Sequence, residues 1–232
     1  MANEVALIVG VGPGLGAALA RRFAQGGLAV AVAARRADAL ASLAKEIGGR
    51  AYTCDATDET AVDRLFAEVG REIGRPAVAI YNAGAFSPGA VPEIDAAEFE
   101  RCWRIGCLGG FFVGQRAARL MVAEGRGTIL FTGATASLRG GARFANLAVG
   151  KFGLRALAQS MARELGPRGV HVAHVIIDGQ IRSERYAHLE KERPADGLLD
   201  PAAIAETYWH LHTQPRSAWT LELDLRPWVE KF

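Results

Sequence analysis

A lysine stands inside an apolar stripe. In FANLAVGKFGLRALAQSMARELG, Phe144 to Gly166, a helical winding of about 100° per residue puts Leu147, Leu154, Ala158, Met161 and Leu165 on one narrow face, and Lys151 shares it. A buried ammonium is costly unless polar groups meet it. The ribose hydroxyls of a bound dinucleotide would satisfy its three donors. The competing reading is a lysine near a helix start that snorkels to water.

A second chemical signal lies at the start of the chain. An apolar run ends in GVGPGLG, Gly10 to Gly16, and a stripe of Leu15, Leu19 and Phe23 follows. Glycines let a backbone approach a pyrophosphate, and a helix N-terminus offers free N–H groups and partial positive charge. The strand–glycine–helix order therefore predicts dinucleotide binding through Gly10, Gly12, Gly14, Leu15 and Gly16. Dinucleotide sites place an acid roughly 20 residues further on to hold a free ribose 2′-OH, or an arginine for a 2′-phosphate. No acid lies between Ala29 and Arg36, and Arg35 and Arg36 occupy the place. Two cations at a helix start oppose the macrodipole, and a phosphate reverses the sign. NADP(H) is the expected cofactor, ahead of NAD(H).

The elements that must carry these residues alternate along the chain. EVALIVG, LAVAVAA, RAYTC, AVAIYN, TILFTG and VHVAHVII read as strands, most with few polar breaks, which predicts a parallel sheet covered on both faces. Helical stripes lie between them: Leu40, Leu43, Ala44 and Ile47, then Val62, Leu65, Phe66, Val69 and Ile73. Asp200-Pro201 predicts a helix start with the stripe Ile204, Tyr208 and Leu211. The tail alternates Trp219, Leu221, Leu223 and Leu225 against polar residues, a strand covered on one face. The expectation is one doubly wound α/β domain of the Rossmann type over residues 1–232, with about seven strands and a lid at 182–200.

Composition narrows the function classes. The 232 residues are half hydrophobic and 22% charged with a net charge of +2, too small to suggest a nucleic-acid partner. Cys54, Cys102 and Cys107 are odd in number and lack metal-ligand spacing, which favours a reduced, cytoplasmic protein and no metal. No run reaches the ~18 apolar residues of a membrane span. His171 and His174 fall on opposite faces of a strand and read as structural, while His210 and His212 read as surface residues without partners. Tyr81 reads as packing within the sheet.

Taken together, Gly10-x-x-x-Gly14-x-Gly16, CDATD at Cys54 to Asp58, NAG at Asn82 to Gly84, the strand ending at Thr132 and the lysine helix resemble the short-chain dehydrogenase/reductase family from Val5 to about Ser183. The resemblance implies a pyrophosphate cradled by Gly10, Gly14 and Gly16, and an adenine met by Asp55 beside Ala56. It also implies an adenosine side supported by Asn82, Ala83 and Gly84, and a nicotinamide beside DGQIRS, including Gly179 and Ile181. Asp178 and Val9 stand where the family usually has Pro and Thr.

The family reaction uses a Tyr four residues before the Lys, a Ser about thirteen residues earlier and an Asn on the preceding long helix. Those slots fall here on Leu147, Ala134 and Gly106, with Thr135 one residue from the Ser slot as an alternative hydroxyl. Only Lys151 remains of the catalytic set. Ala134, Phe144 and Leu147 imply an apolar pocket, and Tyr186 is a candidate from the lid, although a loop Tyr more often packs on the surface. The expected function is NADP(H)-dependent oxidoreduction of an unknown small apolar substrate with atypical proton donation. The alternative is an inactive NADP(H)-binding protein with a sensing or scaffold role. By the same resemblance, the helix near Ala96 to Ala123, bearing Phe99, Trp103, Phe111 and Phe112, and the Lys151 helix imply a homodimer or homotetramer.

Overall fold

Seven parallel strands form one sheet in the order β3-β2-β1-β4-β5-β6-β7 in a computed structural model. It describes residues 4–231, except for the side chain of Arg185. The strands are β1 Val5–Val9, β2 Ala29–Ala34, β3 Arg50–Thr53, β4 Pro76–Tyr81, β5 Gly127–Thr132, β6 Val170–Ile177 and β7 Glu222–Leu225. The six apolar runs and the alternating tail account for all seven.

Each β1 side chain is buried, and alternate residues serve opposite layers. Val5, Leu7 and Val9 join a core with Val62, Leu65, Val113 and Leu154, whereas Ala6 and Ile8 join one with Leu19, Phe23, Tyr208 and Leu211. The first layer is built by α3 Glu59–Glu72, α5 Gly109–Glu124 and α6 Ala145–Leu165. The second is built by α1 Leu15–Gln25, α2 Ala41–Glu46 and α7 Pro201–Thr213. Two-sided covering explains why the inner strands are continuously apolar. β3 and β7 are the edges, and the side chains of β7 are only half-buried or exposed.

Local signals set the helix ends. Asp58 caps α3 by accepting from Thr60 N and Ala61 N, and Asp200 caps α7 by accepting from Ala203 N with Pro201 following. The long helix foreseen from Ala96 is interrupted. α4 Ala96–Trp103 passes through a π-helical turn, Arg104–Leu108, into α5. The wider turn leaves backbone carbonyls without the usual partner, and the buried Tyr81 hydroxyl donates to Ile105 O at 2.6 Å.

His212 departs from the sequence expectation. Its Nδ1 lies 3.1 Å from Thr128 Oγ1 and its ring packs near Phe23 and Trp209, so it is a half-buried partner of β5. The last turn of α7 lies against the sheet, which helical periodicity near a C-terminus did not reveal. His210 is exposed as expected, and Tyr81, His171 and His174 are buried.

Candidate functional site

Chain order reverses between β1 and β4: β2 and β3 run outward on one side, β4 to β7 on the other. Such a switch point opens a crevice beyond the carboxyl ends of the strands. A cleft of about 930 Å³ lies there. Gly10, Gly12, Arg35 and Arg36 line it, together with Asp55, Ala56, Asn82, Ala83 and Gly84.

Gly10 makes the crevice possible. Its φ is +89°, and a Cβ there would stand 2.4 Å from Ala83 N, so β1 and the turn after β4 touch backbone to backbone. Asn82 secures that contact: its Nδ2 donates to Gly10 O at 3.0 Å and its N to Val9 O at 2.8 Å. Gly16 presses on Val11, where a Cβ would meet Val11 Cα at 2.7 Å, seating α1 close to the loop. Gly12 and Gly14 face open space. α1 begins after Gly14 with no side-chain cap and no acid in its first turn, so its N–H groups suit an anion.

Arg35 and Arg36 follow β2, both exposed, and neither forms an ion pair among the described residues. Asp55 is occupied differently. Its Oδ1 accepts from Thr57 N at 2.9 Å and Thr57 Oγ1 at 2.8 Å, which shapes the turn after β3.

Lys151 is buried at 5% exposure, and its Nζ donates to Thr132 O at 2.7 Å across the end of β5. A Cβ on Gly84 would lie 3.5 Å from Nζ, so the lysine adjoins the cleft-lining turn. Burial pulls its pKa down from 10.5 to about 8. His174 on β6 is pushed down to about 4, first by burial and then by the charge of Lys151. Its Nε2 lies 3.4 Å from the buried Ser137 Oγ.

The remaining predicted residues lie outside the lining of the 930 Å³ cleft. Leu147 is half-buried one turn before Lys151, and Ala134 is half-buried just beyond β5. Phe144 is 40% exposed and stacks on Phe86 with centroids 4.7 Å apart, which joins the start of α6 to the cleft wall. Gly106 lies in the π-turn, where a Cβ would come within 3.1 Å of Gly150 Cα. Gly179 and Ile181 follow β6, with Ile181 bridged to Leu199. Tyr186 is half-buried in a short 3-10 turn at Glu184–Tyr186. Leu15 is buried in the first turn of α1.

Sequence reasoning missed two features. Asn146 is buried and donates to Ser87 O at 2.9 Å, tying α6 to the loop after β4, while its Oδ1 has no partner among the described residues. Thr135 Oγ1 donates to Asp178 Oδ1 at 2.5 Å. For the second, the polar Asp178 directly after β6 was the available signal; for Asn146 it was a polar residue in the first turn of α6. Among the described residues no three His, Cys, Asp or Glu side chains cluster as metal ligands would, and no helix is long and apolar enough to cross a membrane.

Comparison with known proteins agrees with this architecture. A family model described as short chain dehydrogenase matches residues 4–193. A 3-oxoacyl-[acyl-carrier-protein] reductase, MabA, of Mycobacterium avium is 34% identical over 192 residues, covering 83% of this chain and 72% of the relative. A crystal structure of a short-chain dehydrogenase from Rhodopseudomonas palustris superposes with a TM-score of 0.84 at 42% identity, covering 97% of this chain and 99% of the other. A metagenomic short-chain oxidoreductase solved in complex with NADP gives a TM-score of 0.83 at 27% identity, covering 98% of each chain.

Proposed function

The chain belongs to the short-chain dehydrogenase/reductase family, and from that premise we propose that it is an NADP(H)-dependent oxidoreductase acting on a small apolar substrate. The observation that carries the reading is the cleft. It gathers two exposed arginines, unpaired among the described residues, the glycine loop before the uncapped start of α1, and Gly84, which adjoins the buried Lys151.

Each part of NADP(H) finds a matching group. Arg35 and Arg36 would hold the 2′-phosphate, charge against charge. Gly12, Gly14 and Gly16 with the first N–H groups of α1, at Leu15, would hold the pyrophosphate. Asp55 and Ala56 would meet the adenine, and Asn82, Ala83 and Gly84 the adenosine side. Lys151, with Gly179 and Ile181 opposite, would hold the nicotinamide end. The bound nicotinamide supplies hydride chemistry, while the protein's part is to orient, to exclude water and to handle a proton.

The proton step is the unusual one. Leu147 and Ala134 bear no hydroxyl, and the side-chain direction at Gly106 runs into Gly150. General acid catalysis is worth roughly 10²–10⁴ in rate, so its loss slows hydride transfer without forbidding it. Those same three positions favour a second reading, an NADP(H)-binding protein without turnover that senses redox state or serves as a scaffold. Following NADPH oxidation across ketones, quinones, enones and imines separates the two. The first reading expects turnover of at least one class, lost in Lys151→Ala; NADPH binding with no turnover of any class favours the second.

Around this site, the 182–200 segment, with Tyr186, serves as a lid over the substrate end. Phe111, Val149 and Phe152 are exposed on α5 and α6, an apolar face suited to a homodimer or homotetramer. Three free cysteines support a cytoplasmic location.

A further inference from the structure

β5 and β6 lie side by side, and the residues just beyond them bring a hydroxyl and a carboxylate together. Thr135 Oγ1 donates to Asp178 Oδ1 at 2.5 Å. Asp178 is 3% exposed, and its Oδ2 lies 3.4 Å from the guanidinium of Arg226, which also pairs with Asp224. A carboxylate this buried is costly unless paired and hydrogen-bonded. Thr135 is half-buried and follows the half-buried Ala134 directly, so the bond to the carboxylate stands just beyond the end of β5.

The location is chemically suggestive. Thr132, whose carbonyl holds Lys151 Nζ, precedes Thr135 by three residues, so the lysine and the pair serve the same strand ends. The backbone there is secured without the Asp178 side chain, because Asp178 N donates to Leu225 O at 2.8 Å. The carboxylate itself is held from both sides, by Thr135 on Oδ1 and by Arg226 near Oδ2.

Resting on the oxidoreductase reading, we propose that Thr135 and Asp178 handle the reaction's proton, with the carboxylate as base and the hydroxyl as relay, in the oxidation of a secondary alcohol with apolar flanks. The substrate O–H bond breaks as its proton moves to Thr135 Oγ1, and the proton already on Oγ1 moves to Asp178 Oδ1. The substrate C–H bond breaks with its electron pair, which leaves with the hydrogen as hydride to the oxidised nicotinamide dinucleotide, the two-electron oxidant. A C=O bond forms, the alcohol is oxidised by two electrons, and one proton rests on Asp178. Leu147, Ala134 and Phe144 supply the apolar surroundings.

The test uses the full chain, NADP⁺ and two probe alcohols, 1-phenylethanol and cyclohexanol. Thr135→Val keeps the side-chain shape and removes the hydroxyl; Asp178→Asn keeps the shape and removes the base. Each lowers kcat by about 10²-fold or more with KM little changed, while NADPH affinity stays within about threefold of the wild type. Thr135→Ser recovers most of what Thr135→Val loses. Circular dichroism and the retained NADPH affinity separate this loss from misfolding. Wild-type kcat in Thr135→Val overturns the proposal, as does a wild-type protein that binds NADPH and oxidises neither probe; in both cases the cofactor reading stands. Absence of NADPH binding in the wild type overturns the oxidoreductase reading and the proposal with it.

Discussion

Lys151 donates from Nζ to the carbonyl of Thr132 across 2.7 Å while almost wholly withdrawn from water. One neutral acceptor does not repay the desolvation of an ammonium, and its pKa falls to about 8. The folded protein without ligand thus carries a cost that serves a ligand.

That cost predicts a stability change with a definite pH signature. The unfolded chain keeps the lysine proton to about pH 10.5, whereas the folded chain releases it near 8. Between those values the unfolded state binds more protons, so this group's contribution to stability rises with pH across the window. Lys151→Met, which keeps the length and removes the charge, stabilises the ligand-free protein by about 1–3 kcal/mol at pH 7. Urea melts at pH 7 and pH 10 check it: the advantage of the variant shrinks at the higher pH. An unchanged or negative difference at pH 7 shows that the buried ammonium is better compensated than the structure indicates.

A second prediction concerns the contact between Gly106 and Gly150. Each glycine's missing Cβ lies within 3.1–3.2 Å of the other's Cα, so the π-turn and α6 meet backbone to backbone. Gly106→Ala ordinarily gains helix propensity. Here overpacking reverses the sign and costs about 1–3 kcal/mol, with Gly106→Asn costing more. Equilibrium unfolding measures both; stabilisation by Ala would mean that the helices separate freely.

Much of this architecture was legible in the chain because its signals are local. Unbroken apolar runs marked the strands, and Asp200-Pro201 marked α7. Lys151 was conspicuous because a charge interrupts a periodic face. The π-turn was not legible, since its one extra residue shifts the phase of the apolar face without any mark in residue type. The Thr135–Asp178 bond joins residues 43 apart in sequence and depends on β5 and β6 being neighbours. His212 was misread for the same reason, because its partner Thr128 is 84 residues away.

A third prediction follows from the half-buried Leu147 beside Lys151. Leucine has no proton to give at this position, so reduction of simple ketones by the wild type is slow. Leu147→Tyr combined with Ala134→Ser places a phenol one turn from Lys151, whose charge lowers the phenol pKa. Ketone reduction with NADPH rises by about 10-fold or more, blunted by the larger ring's packing cost. Steady-state assays of the double variant decide it, and no gain would show that a carbonyl does not lie beside position 147.

The most direct measurement of the central claim is a calorimetric titration of NADPH and NADH into the wild type and Arg35→Asp. Arg35 lines the cleft with Arg36 and is exposed. The wild type binds NADPH more tightly than NADH by about tenfold or more, which is ~1.4 kcal/mol. Arg35→Asp narrows or reverses that order while leaving NADH affinity largely intact. Equal affinities for the two dinucleotides, unchanged by the substitution, or no binding of either, would contradict the account.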